Sequence, residues 1–135
     1  MKIDFNILSL CTIFLSFVAC QAFGSDLDQI ICNAMKGMQV KEEKKIPYNI
    51  GDYELIGITV DCKTKSLITE KRHSQYSLSD FADDFKVNSV ENWKNANCKN
   101  MIFNTNTGWS TTQIIQDTNK KVVLKLEANF EICSK

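Results

Sequence analysis

The sequence predicts an α+β domain with helices packed on one face of an antiparallel sheet and two disulfides. Three observations predict it. Apolar residues recur at helical spacing over residues 26–40, two pairs of alternating segments are separated by polar turns, and a helical period returns between those pairs. The resulting order of helix, two strands, helix, two strands makes local hairpins the natural pairing. A length of 135 residues suits one compact domain.

Residues 1–24 read as a secretory signal peptide, and residues 25–135 as the single domain. Lys2 is followed by an apolar run over residues 7–19 and then by small residues. That run is too short for a bilayer-spanning helix, which needs about 20 apolar residues. Ala22 and Gly24 place small side chains at −3 and −1 before Ser25. Phe17, Val18, Ala19 and Cys20 instead resemble the bacterial lipobox, with Phe17 in place of the usual Leu. Cleavage before Ser25 is preferred, and Cys20 is the candidate lipidation site. In the lipidated case Gln21, by analogy with enteric lipoproteins, points to the outer membrane. The expected location is therefore the periplasm of a Gram-negative-type cell or beyond it, soluble or held to the membrane only by lipid on Cys20.

Ser25 to Asp28 form a capping-box pattern, and Leu27, Ile30, Ile31, Ala34, Met35 and Met38 follow on one stripe. An amphipathic helix over residues 26–40 is expected, with Cys32 at the border of its apolar stripe. Residues 41–45 carry both charge signs and read as a solvated linker. Pro47 begins a strand, because proline tolerates only first or edge positions in a sheet. Over residues 53–62, Ile56, Ile58, Val60 and Cys62 alternate with Leu55, Gly57, Thr59 and Asp61. Residues 63–66 make a polar turn, and 66–73 a partner strand.

Leu78, Phe81, Ala82 and Phe85 then share a helical face. Asn88 with Glu91 makes a second capping pattern, so one kinked or two short helices are expected over residues 78–98. Trp93 is assigned to the core. Gly108 interrupts the chain before a strand over 109–116 and a turn over 117–120. Val122, Leu124, Leu126, Ala128, Phe130 and Ile132 then alternate with Lys121, Val123, Lys125, Glu127, Asn129 and Glu131; the first five of them are expected in the core, with Cys133 at the strand end.

Four cysteines besides any lipidated one remain after processing: Cys32, Cys62, Cys98 and Cys133. Their wide spacings exclude C-x-x-C redox and zinc-ribbon patterns. Of three connectivities, Cys32–Cys62 with Cys98–Cys133 is favoured. Each bridge closes a loop of roughly 30 to 35 residues, for which the chain-entropy model gives about 3 to 4 kcal/mol.

The chain carries 16 Lys and Arg against 16 Asp and Glu, and removal of residues 1–24 leaves it neutral. Neutrality provides no electrostatic basis for nucleic-acid binding. The single histidine, His73, is the only base for a hydrolase triad and reads as a surface residue. No nucleophile elbow, phosphate-binding glycine loop or metal-binding helix motif occurs, so no catalytic residue, metal or cofactor is assigned. Asp83 and Asp84 are adjacent and point apart on a helix, while Asp117 and Asn119 suit a turn better than a cation site.

The Ile46-Pro47 start, Leu55, Cys98, Gly108 with Trp109, Asp117, Asn119, Val123 and the terminal Cys133 resemble a set of small exported bacterial proteins of uncharacterised role. The similarity covers about two thirds of the processed chain and departs from the group's commoner Asn-Gly turn at Asn119-Lys120. The resemblance implies this fold and a Cys98–Cys133 bridge, and supplies no catalytic residue.

The functional expectation is an exported envelope accessory or binding protein without catalysis of its own, such as a helper of a secretion, pilus or conjugation system. Its partner would be another envelope protein. The alternative is a small secreted enzyme or an enzyme or toxin inhibitor, marked by a polar cluster around His73 and Ser74 or by a rigid exposed loop near Trp109. Gly108 and Trp109 are the candidate partner-binding residues, Trp109 reading equally well as a large core side chain, with the polar face of the last strand and the sheet edge as further contact surfaces.

Overall fold

Alternation along the chain produces two hairpins, and these lie side by side in one five-stranded sheet. A computed structural model describes residues 17–135, with side chains described from Asp26 onward. Residues 1–16 of the signal segment and the Cys20 side chain lie outside the described residues. The elements are α1 (Phe17–Glu43), β1 (Tyr48–Ile50), β2 (Tyr53–Asp61), β3 (Ser66–His73), a 3₁₀ turn (Leu78–Asp80), α2 (Phe85–Asn97), α3 (Met101–Asn104), β4 (Ser110–Gln116), β5 (Val122–Asn129) and α4 (Phe130–Cys133).

The sheet order is β1-β2-β3-β4-β5. The β2–β3 and β4–β5 hairpins are antiparallel as expected, but the sheet is mixed, because β3 pairs with β4 in parallel from Ser66↔Ser110 to Arg72↔Gln116. The intervening helices supply the long crossover that a parallel pair requires.

α1 begins upstream of the expected start, so Ser25 to Asp28 lie within the helix rather than at its cap. Its buried stripe is narrower than the sequence suggests. Ile31 and Met35 are buried and Cys32 half-buried, while Leu27, Ile30 and Met38 stay exposed. Ile31 and Met35 join Ile58, Val60, Leu67, Phe103 and Trp109 in the main core, with Ile46 and Ile102 packed against it.

Two bulges correct the alternation. β2 slips between Leu55 and Gly57, so Leu55 as well as Ile58 and Val60 is buried, and Ile56 is only half-buried. A Cβ at Gly57 would meet Glu70 Oε2 at 2.7 Å, the far end of a side chain that can swing aside. In the second hairpin Ile115 pairs with Leu124 and Gln116 with Val122, leaving Val123 as the extra residue. Val123 is buried, whereas Val122 is exposed, contrary to the expected face. β5 also ends early: the Asn129 side chain accepts from Ile132 N and caps α4, which takes Phe130 and Ile132 out of the strand.

α2 starts at Phe85 with Asp84 at its N-cap position, not at Asn88, and has no fully buried residue. Trp93, expected in the core, is half-buried. The one-turn helix α3 has no expectation corresponding to it. Asn100 caps it by accepting from Ile102 N, and it delivers Phe103 to the core.

Candidate functional site

The four domain cysteines pair as favoured. Cys32–Cys62 ties α1 to the end of β2, and Cys98–Cys133 ties the end of α2 to α4, with Cα separations of 5.4 and 5.2 Å. Both distances lie within the normal range for a bridge.

Trp109 does not face solvent. It is 1% exposed and sits in the main core, which overturns its reading as an exposed anchor. Gly108 explains the inward turn: its φ of +80° lies in the region that favours glycine, and Thr107 Oγ1 accepts from Trp109 N at 3.1 Å. Gly108 remains exposed, beside the aliphatic stem of Lys65.

His73, expected at the surface, is buried for a physical reason that its neighbours supply. Its ring stacks on Tyr76 at 4.3 Å and meets Tyr53 and Phe81 edge-on, and Phe81 continues to Phe85. His73 Nδ1 accepts from both Gln75 N and Tyr76 N at 3.1 Å. Ser74 Oγ donates to the carbonyl oxygen of Asp52, not to the imidazole. The hydroxyl and imidazole that a relay would need are therefore engaged with main-chain groups.

Asp117 is fully buried and is the organising acceptor of the second hairpin. Oδ1 accepts from Asn119 N and Lys121 N at 2.8 and 2.9 Å, and Oδ2 accepts from Leu78 N at 2.9 Å. Burial pushes its carboxyl upward, but these three main-chain donors and the Lys121 charge outweigh it and hold the pKa below the usual carboxylate value. Asn119 contributes its main-chain N–H, so the pair forms a turn. Among the described residues no group of three or more His, Cys, Asp or Glu converges as a metal-ligand set.

Lys71 stands out on the same sheet face as His73, and its sequence position gave no signal beyond a cation on a weak strand. Its Nζ lies 4.2 Å from the centre of the Tyr53 ring, and burial pushes its pKa down.

The concave surface lies elsewhere, along α2 and β5. A cavity of about 560 Å³ is lined by Lys86, Val87, Val90, Glu91, Lys94 and Asn95. An adjoining one of about 350 Å³ shares Val90 and Lys94 and adds Trp93, Leu126 and Ile132. Val87 is 68% exposed and Val90 44%, so the helix presents apolar side chains with a rim of mixed charge. The polar face of β5 expected to be available is present here: Lys125 and Glu127 are exposed and ion-paired at 2.7 Å. No family model, curated protein or solved structure matches the chain.

Proposed function

We propose that the chain is an exported cell-envelope accessory protein that works by contact rather than by catalysis, in keeping with the small exported bacterial proteins it resembles. The observation carrying this reading is how the polar groups suited to chemistry are used. His73 Nδ1 is engaged by two main-chain N–H groups, Ser74 Oγ by Asp52, and Asp117 by three further main-chain donors. Each holds the backbone in place. The two disulfides add weak support for an oxidising, exported location. Cleavage before Ser25 would leave Ser25 to Asp28 in the first turn of the shortened helix, with its carboxylates at the favourable end of the helix dipole.

Chemical cross-linking in intact cells, followed by envelope fractionation and mass spectrometry, tests the proposal. The expected result is a defined adduct with an envelope protein, such as a component of a secretion, pilus or conjugation system. Recovery of the protein in the cytosolic fraction without any envelope adduct would contradict it.

A further inference from the structure

We infer that the protein dimerises through β5, pairing edge to edge and antiparallel with a second copy about a two-fold axis at Leu126. The two sheet edges differ in how they are closed. At the β2 end, β1 pairs along Tyr53 to Leu55, Gln39 Oε1 accepts from Val60 N at 3.1 Å, and the Cys32–Cys62 bridge holds α1 alongside. At the other end β5 is the last strand, and among the described residues the main chain of 122–128 makes no hydrogen bond beyond its pairing with β4. An eight-residue edge of this kind presents a row of main-chain donors and acceptors to another strand.

The adjoining cavity shows where that strand fits. It is lined by Lys125, Leu126 and Glu127 in succession. Successive strand residues face opposite sides of a sheet, so a space touching all three opens on the strand's edge. α2 forms its other wall through Val90, Trp93 and Lys94.

The side chains identify the occupant as a second copy. Lys125 and Glu127 flank Leu126 symmetrically, so antiparallel pairing centred on Leu126 sets Lys125 opposite Glu127 of the second copy, and Glu127 opposite its Lys125. The ion pair already present within one chain becomes part of an alternating four-charge cluster on the open sheet face. Opposite charges directly across an antiparallel pair are favourable, and like charges are not. The two-fold axis runs normal to the sheet, which keeps both α2 helices on one side and brings the exposed Val87 and Val90 of each copy toward the other. α1 stays at the far end of each sheet, clear of the joint.

Sedimentation velocity over a concentration series, on wild type, Lys125→Glu and the double variant Lys125→Glu/Glu127→Lys, tests this directly. Both positions are exposed, so thermal melts at concentrations low enough to keep every variant monomeric should match wild type. Wild type is expected to dimerise. The single variant puts like charges opposite each other twice and should raise the dissociation constant about tenfold or more, while the double variant restores the pairing and recovers most of the affinity. Amide exchange over residues 122–128 should slow as wild-type concentration rises. A wild type that stays monomeric throughout, or a single variant that dimerises as tightly as wild type, would overturn the inference.

Discussion

Asp117 Oδ2 accepts a hydrogen bond from the main-chain N–H of Leu78 at 2.9 Å, joining residues 39 apart in sequence. The same carboxylate closes the β4–β5 turn through Oδ1, so one buried side chain fixes the hairpin tip and the start of the helical crossover together.

The sign of the pH effect follows from that arrangement. The Asp117 carboxyl is held below its ordinary value in the folded protein and returns to about 3.9 when unfolded. Its contribution to stability is therefore fully present above pH 4 and is lost as pH falls through the lower folded value. Melting temperature should fall on that acid side. Asp117→Asn should lower it at pH 7, because one main-chain donor loses its acceptor, and should flatten the acid slope. A variant with the wild-type pH profile would exclude Asp117 as the responsible group.

Trp109→Ala should cost about 3 to 5 kcal/mol, the usual range for removing a buried aromatic side chain, and should be read by denaturant unfolding. Its place among Ile31, Met35, Ile58, Val60, Leu67 and Phe103 sets this expectation. Wild-type stability with loss of partner capture would instead restore the exposed-anchor reading.

What the sequence revealed depended on the range of the interaction. The hairpins were legible because Ile58 and Val60, or Leu126 and Ala128, mark a buried face within a few residues. The β3–β4 pairing was not, since Arg72 meets Gln116 at a separation of 44 positions, beyond the helical crossover, and no local period encodes a partner that distant. The bulges at Ile56 and Val123 were hidden for a related reason: each slips the register without changing the composition. His73 looked solvated beside Lys71 and Arg72, and only Tyr53, Tyr76 and Phe81, brought in from three segments, bury it. Trp109 beside a glycine suited either a surface or a core, and only its packing with Ile58, Leu67 and Phe103, from distant parts of the chain, places it inside.

Lys120 has a φ of 65° at the tip of the β4–β5 turn, in the region that favours glycine. The left-handed region costs a non-glycine residue about 1 to 2 kcal/mol, partly offset by the greater unfolded-state freedom of glycine. Lys120→Gly should therefore stabilise the protein by up to about 1 kcal/mol. Gly108→Ala, at a φ of +80°, should destabilise it, and paired urea melts compare the two. An unstable Lys120→Gly would show that the lysine side chain supports the turn.

Replacing Cys98 and Cys133 by serine should cost about 2 to 5 kcal/mol, as should replacing Cys32 and Cys62, because each bridge closes a loop of 30 residues or more. Loss of the first pair should loosen α4 and the C-terminal end of β5. Loss of the second should loosen α1 against β2. Amide exchange in each region separates the two effects, and a uniform loss of protection in both variants would contradict this regional assignment.

The most direct measurement of the central claim is the state of the chain taken from growing cells, with free thiols trapped by alkylation before lysis and peptides mapped without reduction. An exported, bridged protein is expected in the envelope fraction, with Cys32 linked to Cys62, Cys98 linked to Cys133, no alkylated thiol among the four, and a chain beginning at Ser25 or at an acylated Cys20. A cytosolic protein that retains Met1 and carries alkylated thiols at those positions would contradict the account.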